Sequence, residues 1–163
     1  MKKIGSIVLL FLATMLFAQN KIIIKCGKLV DAKNNKILEN RTIVVVNGKV
    51  DEVTDKKVTL GENDTFIDLS SKTVMPGLID MHVHLTSDPT KHGYRALAET
   101  PQREAIFGVS AAKATLKAGF TTVRNLGAAG YADVSLRDAI DDGEIQGPRM
   151  RVAANTICIT GGH

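Results

Sequence analysis

His82 and His84 stand one residue apart near the end of PGLIDMHVHL, residues 76–85, a stretch that is otherwise apolar apart from Asp80. In an extended strand, residues i and i+2 point to one face, about 6.8 Å apart along the chain. Two imidazoles at that spacing can lean together onto one cation, and imidazole is a standard nitrogen ligand of zinc. An isolated His-x-His is more commonly one core histidine beside one that hydrogen-bonds at a loop edge. The surroundings favour the metal reading here. Pro76-Gly77 punctuates the chain, a strand-like apolar run follows it, Asp80 precedes the pair, and alternating helix and strand text comes after it.

Those histidines need elements to position them. From Lys21 to about Thr73 the text predicts short strands forming a small antiparallel sheet: KIIIKCGKLV, interrupted by Gly27, then RTIVVVNGKVDEV, then TFIDLS. Asn47-Gly48 splits the second run and predicts a type I′ hairpin, because both residues tolerate positive φ. After Pro76 the pattern changes. LIDMHVHL reads as a strand buried on both faces. A polar loop follows from Thr86 to about Thr100. A helix comes next, with Thr100 as cap, Pro101 in the first position and Gly119 closing it. Ala105, Val109, Ala112 and Leu116 share one face of that helix. FTTVRNL, residues 120–126, is the next strand; Asp133 opens a shorter helix through Ile140 that stops near Gly143; RMRVAAN follows Gly147-Pro148 as the last strand. The order β-α-β-α-β predicts parallel strands joined by helical crossovers. Barrel enzymes of this construction place their sites at the C-terminal ends of the strands, where His82 and His84 fall. A (β/α)8 barrel takes about 250 residues, whereas 87 follow from Gly77. The chain is therefore expected to be the front part of a longer protein.

Composition narrows the function classes. Of 163 residues, 44% are apolar and 23% charged, so a packed core is expected. Tryptophan is absent and aromatics make up 4%, which argues against base-stacking nucleic-acid platforms. The net charge is +4, and +2 without Lys2 and Lys3, with acids and bases interspersed; no nucleic-acid or membrane footprint is expected. Residues 1–18 carry Lys2-Lys3, an apolar block from Ile4 to Phe17, and Ala18. That is the layout of a secretory signal peptide, with an uncleaved anchor as the alternative. The block is shorter than the ~20 residues of a spanning helix. An exported protein, periplasmic or extracellular, follows. Cys26 and Cys158 have no metal-motif spacing and are expected as two buried free thiols.

VMPGLIDMHVHL resembles the metal-binding segment of the amidohydrolase superfamily. GKLVDAKNNKILENRTIVVVNGKV is similar to the first strands of its accessory β-sandwich, and LKAGFTTVRNLG to its second barrel strand. GPRMRVAANTICITGGH resembles the third strand and following loop in the branch with imidazolonepropionase-like and Xaa-Pro dipeptidase-like enzymes. The resemblance implies an α/β fold: a signal peptide over 1–18, part of a small β-sandwich over 19–75, and the first three βα units of a (β/α)8 barrel over 76–163. It implies that His82 and His84 are metal ligands. It aligns Asp80 with an acidic position that orients an imidazole, against the equal alternative of a strand-end carboxylate that caps backbone amides. It aligns His163 with a histidine facing substrate. Where relatives commonly carry Asp this chain has Asn125, and Arg124 beside it is expected to pair with a carboxylate. The implied activity is hydrolysis of a carbon–nitrogen bond in a small amide or Xaa-Pro dipeptide, with one or two divalent ions, zinc above others, activating water and polarising the carbonyl. The family's strand-four lysine, strand-five and strand-six histidines and strand-eight aspartate have no counterpart in this sequence, so no catalytic residue is assigned. A non-catalytic remnant or a metal-binding module is the alternative.

Overall fold

The structure is a computed structural model, and it describes residues 20–91 and 93–160. The chain divides into two compact units, with the boundary between Pro76 and Gly77.

The first unit is a four-stranded sheet of β1 (Lys21–Asp31), β2 (Lys36–Val46), β3 (Lys49–Thr54) and β4 (Thr65–Val74), in the order β3-β2-β1-β4. Asn47 and Gly48 both take positive φ, 51° and 73°, as the hairpin between β2 and β3 requires. The sheet is mixed, not antiparallel throughout: β1 pairs antiparallel with β2 and parallel with β4. The reason is the connection over 55–64, which returns the chain across the sheet and lays β4 against the free edge of β1. Cys26, Leu29 and Ile43 form the core of this unit, with Ile24, Leu38, Val45 and Val74 packed against them. Gly27 sits where the β1–β4 register slips between Cys26 and Lys28. The extra residues lie in β4, and a Cβ on Gly27 would overlap the carbonyl of Ser70, so β1 can hold only glycine opposite this bulge. The Cys26 thiol donates to Arg41 O at 3.1 Å and is buried, as expected. Cys158 is exposed, contrary to expectation, because it follows the last strand in irregular chain and not in a packed element.

The second unit is a parallel three-stranded sheet, β5 (Leu78–Val83), β6 (Phe120–Asn125) and β7 (Arg149–Val152), in that order. A short helix α1 (Tyr94–Leu97) and the long α2 (Pro101–Lys117) connect β5 to β6; α3 (Ala132–Asp141) connects β6 to β7. Thr100 caps α2, its hydroxyl accepting Arg103 N–H at 3.2 Å, with Pro101 at the first position. Gly119 leaves the helix at φ 97°, and its carbonyl receives Leu78 N–H at 2.9 Å, tying the end of α2 to the start of β5. Leu85, Ala112, Val123, Leu136 and Met150 make the core.

Two expectations change here. The buried line of α2 runs through Gly108 and Ala112, while Val109 is 39% exposed. A Cβ on Gly108 would lie 2.9 Å from Leu136 Cδ2 and 3.1 Å from Thr86 Cγ2, so the missing side chain lets α2 turn that line inward against α3. Nor is β5 buried on both faces: Ile79 and Met81 are 61% and 54% exposed. Among the described residues it pairs only with β6. No helix among the described residues is long and apolar enough to cross a membrane.

Asp64 fastens the first unit. Its carboxylate accepts Gly61 N–H at 2.8 Å and Lys21 N–H at 2.9 Å, and these bonds, Gly61 first, hold its pKa below the usual carboxylate range. A carboxyl lowered in the folded state stabilises above its unfolded pKa, and that contribution disappears as pH falls through the folded value. Thermal melts between about pH 5 and about pH 2 are expected to lose stability on the acid side, and Asp64→Asn to be less acid-sensitive than wild type. Equal acid sensitivity in both would contradict this. Gly27→Ala is expected to destabilise by about 1–3 kcal/mol in denaturant titration.

Candidate metal site

Parallel pairing brings the C-terminal ends of all three strands to one edge. Val83 is level with Asn125, and Asn125 with Val152. Beyond that level the strands stay joined: Leu126 N–H donates to Val83 O at 3.1 Å, Ala153 N–H to Asn125 O at 3.0 Å and Ala128 N–H to Ala154 O at 2.8 Å. His82 and His84 sit on this edge, both exposed.

A bulge shapes the pair. Asp80 is level with Val123 and Val83 with Asn125, so β5 has one residue more than β6 in this interval. The extra residue frees main-chain groups that a regular ladder would use. Arg124 Nε donates to Met81 O at 2.7 Å, and Asp80 Oδ1 accepts His82 N–H at 3.0 Å. Bulges commonly re-aim side chains at functional edges. Arg124 thus bonds a backbone carbonyl and not the carboxylate expected of it, because the bulge offers an acceptor within its reach. Asp80 takes the amide-capping role, one of its two expected alternatives.

The imidazoles of His82 and His84 lie edge to face, with ring centroids 5.5 Å apart. Two imidazoles on one tetrahedral zinc at Zn–N ~2.0 Å place their centroids about 5 Å apart, so the observed spacing suits a shared ion. The donor chemistry fits as well. His84 Nδ1 is 3.3 Å from Gly127 O. A carbonyl only accepts, so this bond requires the proton on Nδ1, and in the neutral ring the lone pair is then on Nε2. Among the described residues no third His, Cys, Asp or Glu joins the two. His163, the substrate-facing candidate, lies outside the described residues, as does the leader over 1–18.

Asn125 and Asp133, both fully buried, form a cluster behind His84 that the pattern of the sequence did not reveal. Asn125 Oδ1 accepts Leu85 N–H at 2.8 Å, and its amide nitrogen donates to Gly127 O and to Asp133 Oδ2, each at 3.1 Å. Asp133 Oδ2 also accepts Ala154 N–H at 3.2 Å. The carboxylate stands in the first turn of α3, where the helix dipole favours negative charge. Gly127 has φ 151°, and a Cβ there would overlap the Thr156 side chain. The available signal was a polar residue closing an apolar strand, then a glycine, then an acid opening a helix. Each has an ordinary separate explanation, so only the fold joins them.

A parallel βαβαβ unit with paired imidazoles at its strand ends defines the class: an α/β protein of the kind that opens a (β/α)8 barrel. The amidohydrolase family matches residues 73–158, and the chain belongs to that family. A dihydroorotase of Pelotomaculum thermopropionicum is 37% identical over 103 residues, 63% of this chain and 21% of that protein. Among solved structures, a Xaa-Pro dipeptidase with methionine in its active site is 35% identical with a TM-score of 0.78, over 88% of this chain and 36% of that one. A prolidase complexed with N-methylphosphonate-L-proline is 34% identical, also with a TM-score of 0.78, over 88% and 34%. The chain thus spans about a fifth of that dihydroorotase and about a third of those two solved chains.

Asp80→Ala is expected to speed hydrogen exchange of the His82 amide, whose acceptor it removes, while the β5–β6 ladder stays protected. An unchanged His82 exchange rate would mean that the Asp80 bond does not form in solution.

Proposed function

We propose that this chain supplies the first two metal ligands, His82 and His84, of a hydrolase that cleaves a carbon–nitrogen bond in a small amide-type substrate. The observation that carries this reading is the convergence of the two rings at the strand ends, with His84 Nδ1 3.3 Å from Gly127 O. A divalent ion, zinc in this reading, would supply Lewis acidity toward a carbonyl and an activated water. The chain's own residues do the holding. Val83 and Leu85 root the pair in the core, the bulge sets the turn of His82, and Asp80 secures the amide of His82. Exposure of both rings leaves the ligand positions open to solvent and substrate.

The finer reading is a Xaa-Pro dipeptide substrate, supported by the likeness to a Xaa-Pro dipeptidase and a prolidase at about a third sequence identity over 88% of the chain. In that reading His163 faces the substrate. We also propose export, because Lys2-Lys3 and the apolar block that follows have the form of a signal peptide. N-terminal sequencing of exported protein should begin near Gln19; protein retained in the cytosol with Met1 intact would contradict it.

Metal content tests the site. His82→Ala and His84→Ala should each lose bound zinc by elemental analysis, with circular dichroism unchanged because both side chains lie outside the core. Protons compete for the same nitrogens, so zinc binding should weaken in acid. Unchanged metal stoichiometry in both variants would reduce the pair to a structural role.

A further inference from the structure

The interactions around Asn125 show how one side chain holds both the peptide behind His84 and the acceptor in front of its ring. Asn125 Oδ1 takes the N–H of Leu85, which belongs to the His84–Leu85 peptide bond. Its Nδ2 donates to Gly127 O, the same carbonyl that His84 Nδ1 meets. The second proton of that amide goes to Asp133 Oδ2. With one donor and two acceptors around it, the amide has a single orientation that satisfies all three partners.

We propose that Asn125, anchored by Asp133, is a positioning residue for His84: it fixes the Gly127 carbonyl against Nδ1 and so sets the ring's tautomer with Nε2 presented outward. The inference rests on the proposed metal site, where Nε2 is the ligating atom. Partners of this kind fix both the tautomer and the direction of a ligand's lone pair, and losing one lowers metal affinity about 10–100-fold. Aspartate at position 125 could not do the same. It has no N–H to give Gly127 O, and it would set a second buried carboxylate against that of Asp133. An asparagine at this position is therefore suited to an acid at position 133.

The test uses the full chain labelled with 15N at histidine. Long-range 1H–15N correlation of the metal-free protein reads the tautomer of His84, identified through a His84→Gln variant. The expected wild-type result is a protonated Nδ1 and an unprotonated Nε2. Asn125→Asp should lose that bias and bind zinc, measured by competition with a chromophoric chelator, about 10–100-fold more weakly. The double variant Asn125→Asp/Asp133→Asn rebuilds a donor–acceptor pair between the two side chains but restores no donor toward Gly127. It should regain stability without regaining the tautomer bias or the affinity. A double variant with wild-type tautomer and wild-type affinity would overturn the proposal. If neither variant folds, the wild-type spectrum decides, and a predominant Nε2–H form overturns it. A wild-type chain with the Nδ1–H tautomer but no zinc affinity would contradict the metal site and support the positioning of the ring.

Discussion

A buried primary amide has two protons and one oxygen to satisfy, and in this chain Asn125 satisfies them on three different stretches of backbone or side chain. Its oxygen holds the residue after His84, and its nitrogen holds the turn after β6 and the first turn of α3. Asp133 extends the reach to Ala154, just past β7. The ends of all three parallel strands therefore depend on one pair of side chains. Leaving any member without its partner would expose the rest to the full desolvation penalty of a buried polar group, about 1–3 kcal/mol for each group. The apolar core below, built on Val123, Leu136 and Met150, excludes the water that would otherwise compete.

The same edge carries the two proposed ligands, His82 and His84. Parallel sheets align strand ends, and the loops beyond them gather side chains from separate elements. The bulge in β5 and the loop after β6 supply the two local departures from regularity. One sets His82, and the other, through the positive φ that Gly127 can adopt, brings a carbonyl to His84. At the bulge the Asp80 carboxylate accepts the His82 amide N–H and the Arg124 guanidinium donates to the Met81 carbonyl, while at Gly127 a backbone carbonyl alone meets the ring.

Much of this was legible in the sequence, for particular reasons. The Asn47-Gly48 turn, the Thr100-Pro101 cap and Gly119 act through local backbone preferences, so a few residues suffice to find them. The His82–His84 pair was legible because period-two geometry is a property of any strand. What escaped was set by distant partners. The crossing of β4 to the edge of β1, the slip at Gly27 and the rotation of α2 around Gly108 depend on Ser70, Leu136 and Thr86. Ile79 and Met81 are exposed among the described residues, where β5 pairs with β6 alone, and apolarity in one stretch does not say which elements cover it. Asn125 was visible as a residue but not as a clamp, because two of its three partners are 8 and 40 positions away.

His82 and His84 are proposed to share one ion through their ring nitrogens. X-ray absorption at the zinc edge of the zinc-loaded chain tests it most directly, since imidazole gives a characteristic outer-shell scattering pattern beyond nitrogen at ~2.0 Å. The account predicts two imidazoles per zinc in the wild-type chain and one in either single variant, His82→Ala or His84→Ala, at whatever loading the variant retains. A wild-type spectrum with oxygen ligands alone, or an imidazole count that survives both substitutions unchanged, would contradict it.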